Sequence, residues 1–262
     1  MRSMLPLLLL LTLAGPALAT DGLLEINQAC AVQTGCFAGD TPGFPVQVNA
    51  AGGYRLTSDL VVPDENTTGI LVVVSSVQVD LNGFEITRSS CQAATSNCTP
   101  TSGSGYGVYA PDLDRARGVV VRNGSITGMG SYGVLLGPQS EVTHLRLRWN
   151  RVGGIRISNH SKVSDNLAFE NGGSGIFEII GSTGTGGSVI SGNTAYGNGG
   201  NGIRVVSGSI AHGNTIRANS LLGLSFSSFA YYTNTLTLNT GGAVSGGQNL
   251  GRNSCNGAPS CP

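Results

Sequence analysis

The feature that most constrains this chain is an internal repeat of about 21 residues, because a fixed period of that length means one small unit stacked on copies of itself. Gly followed by Val, Ile or Leu recurs at Gly133-Val134, Gly154-Ile155, Gly175-Ile176, Gly202-Ile203 and Gly223-Leu224. The spacing is constant except between Gly175 and Gly202. That longer step contains Gly181-Ser-Thr-Gly-Thr-Gly186, a loop of about six extra residues. A second pattern keeps pace with the first. Asn166-Leu-Ala-Phe-Glu-Asn171 aligns with Asn193-Thr-Ala-Tyr-Gly-Asn198, Asn214-Thr-Ile-Arg-Ala-Asn219 and, one position sooner than the period requires, Asn234-Thr-Leu-Thr-Leu-Asn239. Leu145-Arg-Leu-Arg-Trp-Asn150 fits at every position but the first.

Between the glycines lie runs such as Ile155-Arg-Ile157 and Ile203-Arg-Val205. They are too short for helices and alternate as strands do. One repeat therefore holds about three short strands, and successive repeats stack ~4.8 Å apart through parallel backbone hydrogen bonds. The expected object is a coil of parallel strands with an apolar interior. Stacking also explains the asparagines, since an amide carries both donor and acceptor and bonds to its copy on the next coil. Two ladders are expected: Asn166, Asn193, Asn214, Asn234, and Asn150, Asn171, Asn198, Asn219, Asn239. The rival reading makes these amides ligand-binding groups. Glycines beside the asparagines are expected to supply positive φ at the corners.

Composition agrees. The chain of 262 residues has 41 Gly and only 11% charged residues, whereas solvated helices need many charges on their outer faces. Basic and acidic residues balance at 14 each, which leaves no electrostatic footprint for nucleic acid.

Arg2, the apolar run Leu5 to Ala14 and Ala17-Leu18-Ala19 read as a signal peptide over residues 1–19. The run is shorter than the ~20 residues that span a bilayer. Export would place the six cysteines in an oxidising compartment, and the local pairs Cys30/Cys36, Cys91/Cys98 and Cys255/Cys261 are the expected disulfides. A zinc site is the weaker alternative, because no Cys-x-x-Cys occurs.

The repeat, with Asp80-Leu-Asn-Gly-Phe-Glu-Ile86 and Val121-Arg-Asn-Gly-Ser-Ile126, resembles the right-handed parallel β-helix proteins of the pectate-lyase-like superfamily, particularly their small exported bacterial members. The resemblance covers roughly Phe44 to Asn249. It implies an all-β, single-domain solenoid of about seven to eight turns, capped at both ends. The expected boundaries are an N-terminal cap over 20–45, the helix over 46–249 and a disulfide-closed tail over 250–262. The stretch from Cys91 to Gly105, rich in Ser, Thr and Gly, reads as an excursion from the coil.

Lyases, hydrolases, epimerases and non-enzymatic adhesins share this fold, so chemistry has to be read from side chains. If Leu147, Ala168, Ala195, Ile216 and Leu236 point inward, Arg148, Phe169, Tyr196, Arg217 and Thr237 form an outward column. A nearby column contains Arg156, Phe177 and Arg204. Aromatic rings lie against sugar faces and Arg forks hold carboxylates or sulfates. The plain alternative is sheet-face stabilisation, ~0.2–1 kcal/mol per cross-strand pair.

Catalytic candidates are thin. One register stacks His144 above Asp165, either as a dyad or as a solvated polar stack. It also places Glu141 beside Lys162, which reads first as a surface ion pair. His160 and His212 read as turn residues. Asp112 and Asp114 face one side of an extended chain and suit calcium, but Arg115 and Arg117 follow and favour self-neutralisation. Polygalacturonase-like hydrolases carry Asn-Thr-Asp, Asp-Asp, Gly-His-Gly and Arg-Ile-Lys strings. None occurs here, nor does the Asp-Pro-His-Asp string of the alginate epimerases. The expected function is binding of a polysaccharide or surface glycan along one solenoid face, with no cofactor. The alternatives are a lyase or epimerase acting on uronic-acid polymers and a structural adhesin or spacer.

Overall fold

The computed structural model describes residues 22–92, 96–111, 116–180, 186–226, 229–257 and 261. The alternating runs form strands two to eight residues long. They stack as two parallel sheets, one of nine strands and one of seventeen. The larger sheet is two columns of short strands, fused where Val120–Thr127 and Glu141–Arg148 run through both. Each rung of the coil therefore has three sides: a strand of the nine-stranded sheet, then the first and second columns of the larger sheet.

Register is vertical. Leu147, Ala168, Ala195, Ile216, Leu236 and Cys255 pair in succession down the inside of the second column. Val134, Ile155, Ile176, Ile203 and Leu224 do the same in the nine-stranded sheet, and all of these except Cys255 are at most 1% exposed. Nine strands in that sheet mean nine rungs among the described residues, one more than the sequence count of seven to eight. The early rungs are irregular. Val46 pairs with Ile70, Ile70 with Val108 and Val108 with Val134, unequal steps that hide the period. The longest of them, from Ile70 to Val108, holds the excursion, tied by the Cys91–Cys98 disulfide.

At the start, Leu24–Ile26 adds a strand against Tyr54–Leu56, and a helix over Gln28–Gln33, capped by the Asn27 side chain, lies before the first rung. The Cys30–Cys36 disulfide ties that helix, and Phe37 packs edge-on against Tyr54 at 5.0 Å. At the other end the coil continues through Ser254–Cys255, which pairs with Thr235–Leu236 inside the stretch expected as tail, and Cys255 bonds to Cys261. No described helix is long and apolar enough to cross a membrane. Residues 1–19 lie outside the described residues.

Both asparagine ladders form. Nδ2 of Asn150 donates to Oδ1 of Asn171 at 3.0 Å, and the pattern continues through Asn198, Asn219 and Asn239 at 2.9–3.0 Å. The other ladder runs Asn166, Asn193, Asn214, Asn234 and extends to Asn253, which the spacing did not reveal. Each Oδ1 also accepts the backbone N–H of the previous asparagine, as Asn171 does from Asn150 at 3.1 Å. Interior members thus satisfy their whole amide, as buried polar groups must. The third corner has a serine ladder missed in the sequence: Ser140, Ser161, Ser188 and Ser209, each hydroxyl accepting the backbone N–H of the serine before it at 3.0–3.1 Å.

The corners correct the expectation about glycine. Gly192, Gly197 and Gly213 do have positive φ, but the same corners on other rungs hold His144, Trp149, Asp165, Glu170, Ala218 and Leu238 at φ of 54–60°. The glycines of the Gly-Val/Ile/Leu pattern serve a different purpose. A Cβ on Gly175 would sit 2.8 Å from Nδ2 of Asn198, so the pattern marks where the backbone closes on the ladder.

Candidate functional site

The site is built on the outside of the nine-stranded sheet. With Ile155, Ile176 and Ile203 inward, the pleat turns Arg156, Phe177 and Arg204 outward in one column. The Arg204 guanidinium lies 4.8 Å from the Phe177 ring centre and that of Arg156 lies 6.0 Å from it, within the range of cation–π attraction. The column continues through Leu135 and Tyr109. Tyr109 stacks on Tyr106 at 4.2 Å and 6°, and the Arg156 guanidinium lies 5.8 Å from Tyr132. Beyond Tyr109 a cavity of about 370 Å³ opens between Phe44, Pro45, Leu71, Asn66, Thr67 and Thr68.

Charge on this face is one-sided. Among the described residues Arg156 and Arg204 take part in no salt bridge, and Nε of Arg156 is buried without a hydrogen-bond partner. Glu178, next to Phe177, points the other way into the core. Burial pushes the Tyr132 phenol above its ordinary pKa, against the pull of Arg156 and, more weakly, Arg204. Burial, reinforced by Tyr106, raises Tyr109 as well. Both phenols therefore stay protonated at neutral pH and act as donors. The strip presents two cations, hydroxyl donors and ring faces.

The other predicted column also exists, on the adjacent face. Arg148, Phe169, Tyr196, Arg217 and Thr237 pair in register along the second column of the larger sheet. The Asn150 to Asn239 corner separates them from Arg156, Phe177 and Arg204, so the two columns form two strips. Tyr196 is 42% exposed, while Arg148 turns back to lie 4.2 Å from the Trp149 ring.

The catalytic candidates do not assemble. His144 and Asp165 occupy the same corner on consecutive rungs, but no hydrogen bond or salt bridge joins them, and Nδ1 of His144 is engaged by the Thr143 hydroxyl at 2.8 Å. Lys162 bonds Glu141 at 2.9 Å as an exposed ion pair. His160 is a corner residue, whereas His212 sits in a strand and stacks on Tyr232 at 4.8 Å. Among the described residues no group of three or more His, Cys, Asp or Glu is arranged to hold a metal. Asp112 and Asp114 lie outside those residues.

Sequence reasoning missed Tyr106 and Tyr109, which fall in the irregular rungs, Tyr132, which has only Gly153 opposite it in register, and Glu178. The Glu178 carboxylate is fully buried, accepts from the Ser209 hydroxyl at 2.8 Å and from the Val206 backbone at 3.0 Å, and is pushed above its ordinary pKa by burial. It closes the end of the serine ladder. A cavity of about 710 Å³ beside Ser207–Ile210 and Phe229 has no charged side chain on its described wall.

Comparison with known proteins supports the fold. The periplasmic alginate epimerase AlgG superposes with a TM-score of 0.51 at 15% identity, over 77% of this chain and 67% of that one. Two mutants of AlgG give TM-scores of 0.53 and 0.51 at 15% and 14% identity, covering 79% and 88% of this chain and 70% and 72% of theirs. No curated protein matches the sequence. The family described as right-handed beta helix region matches residues 82–254, about two thirds of the chain, and the protein belongs to that family of right-handed parallel β-helices.

Proposed function

We propose that this is an exported protein that binds an anionic polysaccharide along the nine-stranded sheet, through Arg156, Phe177 and Arg204 with Tyr106, Tyr109 and Tyr132. The observation that carries this reading is the pair of guanidiniums without carboxylate partners, among the described residues, on either side of an aromatic ring. An Arg fork such as that of Arg156, half-buried and unpaired, is costly to the protein alone and favourable once it receives a carboxylate or sulfate. Arg156 and Arg204 are two rungs apart, ~10 Å at the ~4.8 Å spacing of strands. Carboxylates on alternate units of an extended uronan reach across such a gap, with a sugar face on Phe177 between them. Three disulfides suit the oxidising space outside the cytoplasm.

The structural neighbour acts on alginate, which makes that polymer the first to test. Affinity electrophoresis through gels containing alginate, pectate or a neutral glucan should retard the protein in one of the charged gels only. Arg156→Ala and Phe177→Ala should abolish the retardation while leaving circular dichroism unchanged. Equal mobility in all gels would remove the proposal.

A second reading, a uronan lyase or epimerase, uses the same strip and draws on the protonated Tyr132 phenol beside Arg156. In either reaction a base takes the C5 proton and an acid gives one to the leaving oxygen or back to C5; the protonated Tyr132 phenol fits the acid's part, and the base would be a second group. Ultraviolet absorbance of an unsaturated uronate product would establish a lyase, and NMR of the recovered polymer an epimerase. Unaltered polymer in both assays leaves binding alone.

A further inference from the structure

The second column of the larger sheet carries a separate small concavity of about 160 Å³, lined by Glu85, Ser125, Thr127, Arg146 and Arg148. We infer that it is a site for a single hydroxycarboxylate unit, a sugar acid or the terminal residue of an acidic chain. Register builds it. Glu85, Ser125 and Arg146 are outward neighbours on consecutive rungs, and Thr127 pairs with Arg148 beside them. Among the described residues neither arginine meets a carboxylate: Arg146 lies 5.8 Å from the Phe169 ring centre and Arg148 4.2 Å from that of Trp149. Both forks keep their N–H groups for a ligand. One oxygen of Glu85 accepts the Thr127 hydroxyl, and the other has no partner among the described residues. The neighbouring Thr87 hydroxyl, paired in register with Thr127, is buried without a hydrogen bond.

This arrangement divides the ligand. The two guanidiniums that line the concavity take a carboxylate, and the free oxygen of Glu85 takes a hydroxyl on the next carbon. A fully ionised oxyanion such as sulfate would satisfy the arginines but meet the charge of Glu85 with no hydrogen to donate. Size limits the site to one unit, and it lies around a corner from the polysaccharide strip, so it does not depend on that reading.

Trp149 is the only tryptophan, and its contact with Arg148 makes it a reporter. Titration of the intact protein with sodium galacturonate, at ionic strength held with NaCl, should change Trp149 emission and release saturable heat in calorimetry, while glucose should do neither. The double variant Arg146→Gln/Arg148→Gln should weaken calorimetric affinity by about tenfold or more, the loss expected for a bidentate charged contact. Glu85→Gln should lower galacturonate affinity and raise that for sulfate, which carries no hydrogen to donate. Tighter binding of methyl galacturonoside than of the free acid would identify chain ends as the ligand, and the reverse the free sugar acid. The inference is overturned if galacturonate gives no heat, if the double variant binds equally well, or if sulfate binds as tightly as galacturonate whether or not Glu85 is replaced.

Discussion

Replacing Asn171 by Ala tests whether the ladders hold the coil together. The Asn171 side chain makes four hydrogen bonds in a site that is 2% exposed: Nδ2 donates to the Leu147 carbonyl at 3.1 Å and to Asn198 Oδ1 at 3.0 Å, and Oδ1 accepts from the Asn150 backbone N–H at 3.1 Å and Asn150 Nδ2 at 3.0 Å. Truncation leaves two Asn150 donors without their acceptor, in an interior that water does not reach. At ~1–3 kcal/mol for each buried group left unsatisfied, the loss is ~2–6 kcal/mol before any cavity is counted. Phe169→Ala, two residues earlier on the outward side, should cost only the ~0.2–1 kcal/mol of a cross-strand pair. Urea unfolding of the three proteins, followed by circular dichroism and read as ΔG with its m-value, compares them directly. If Asn171→Ala loses no more than Phe169→Ala, the ladder is not the stabilising element proposed here.

Three further predictions address other parts of the molecule. Glu178 has a folded-state pKa raised above its ordinary 4.5 by burial, so its contribution to stability is greatest at acid pH and is lost as pH rises through the raised value. Glu178→Gln should therefore give a higher urea midpoint at neutral and alkaline pH, with the gap closing below about pH 4; a gap that widens toward acid would contradict the sign. Gly175→Ala would place a Cβ 2.8 Å from Asn198 Nδ2 and from the Gly202 carbonyl, whereas Gly197→Ala, at φ of 62°, meets nothing nearer than 3.6 Å. The first should cost ~1–3 kcal/mol as overpacking and the second ~1 kcal/mol as left-handed backbone, and reversal of that order in thermal unfolding would show that space is not what the repeat glycine provides. For the polysaccharide strip, retention of the wild type should fall steeply between low and physiological salt, and the double variant Arg156→Ala/Arg204→Ala should be weak at both; retention indifferent to salt would point away from the arginines.

The architecture was legible from Gly133 onward because identical residues recur there at one spacing, and stacking demands that identity. Asn150, Asn171, Asn198, Asn219 and Asn239 must each fit the same hole, so the sequence repeats them. Asn253 ends the other ladder after a step of 19 and escaped notice because the step had shortened. The serine ladder keeps the steps of 21 and 27 but uses a common residue that drew no attention. Outward columns need no identity, since solvent imposes no shape, so Arg148, Phe169, Tyr196 and Arg217 could be placed by pleat alone but not given a task. Tyr106 and Tyr109 belong to rungs of unequal length, where no period exists to show that they share a face with Arg156, and Tyr132, one period before Gly153, has no side chain opposite it to mark an outward column. Glu85 and Arg146 are far apart in sequence and meet only through the register of three rungs.

Binding of an acidic glycan by the two unpaired arginines of the nine-stranded sheet is the claim on which the function rests. NMR observation of arginine Nε–H signals during titration with an alginate or pectate oligosaccharide tests it most directly. Large shifts are expected at Arg156 and Arg204, with the salt-bridged Arg55 and Arg122 unmoved. Shifts that spare Arg156 and Arg204 while other arginines respond, or no response to either oligosaccharide, would contradict it.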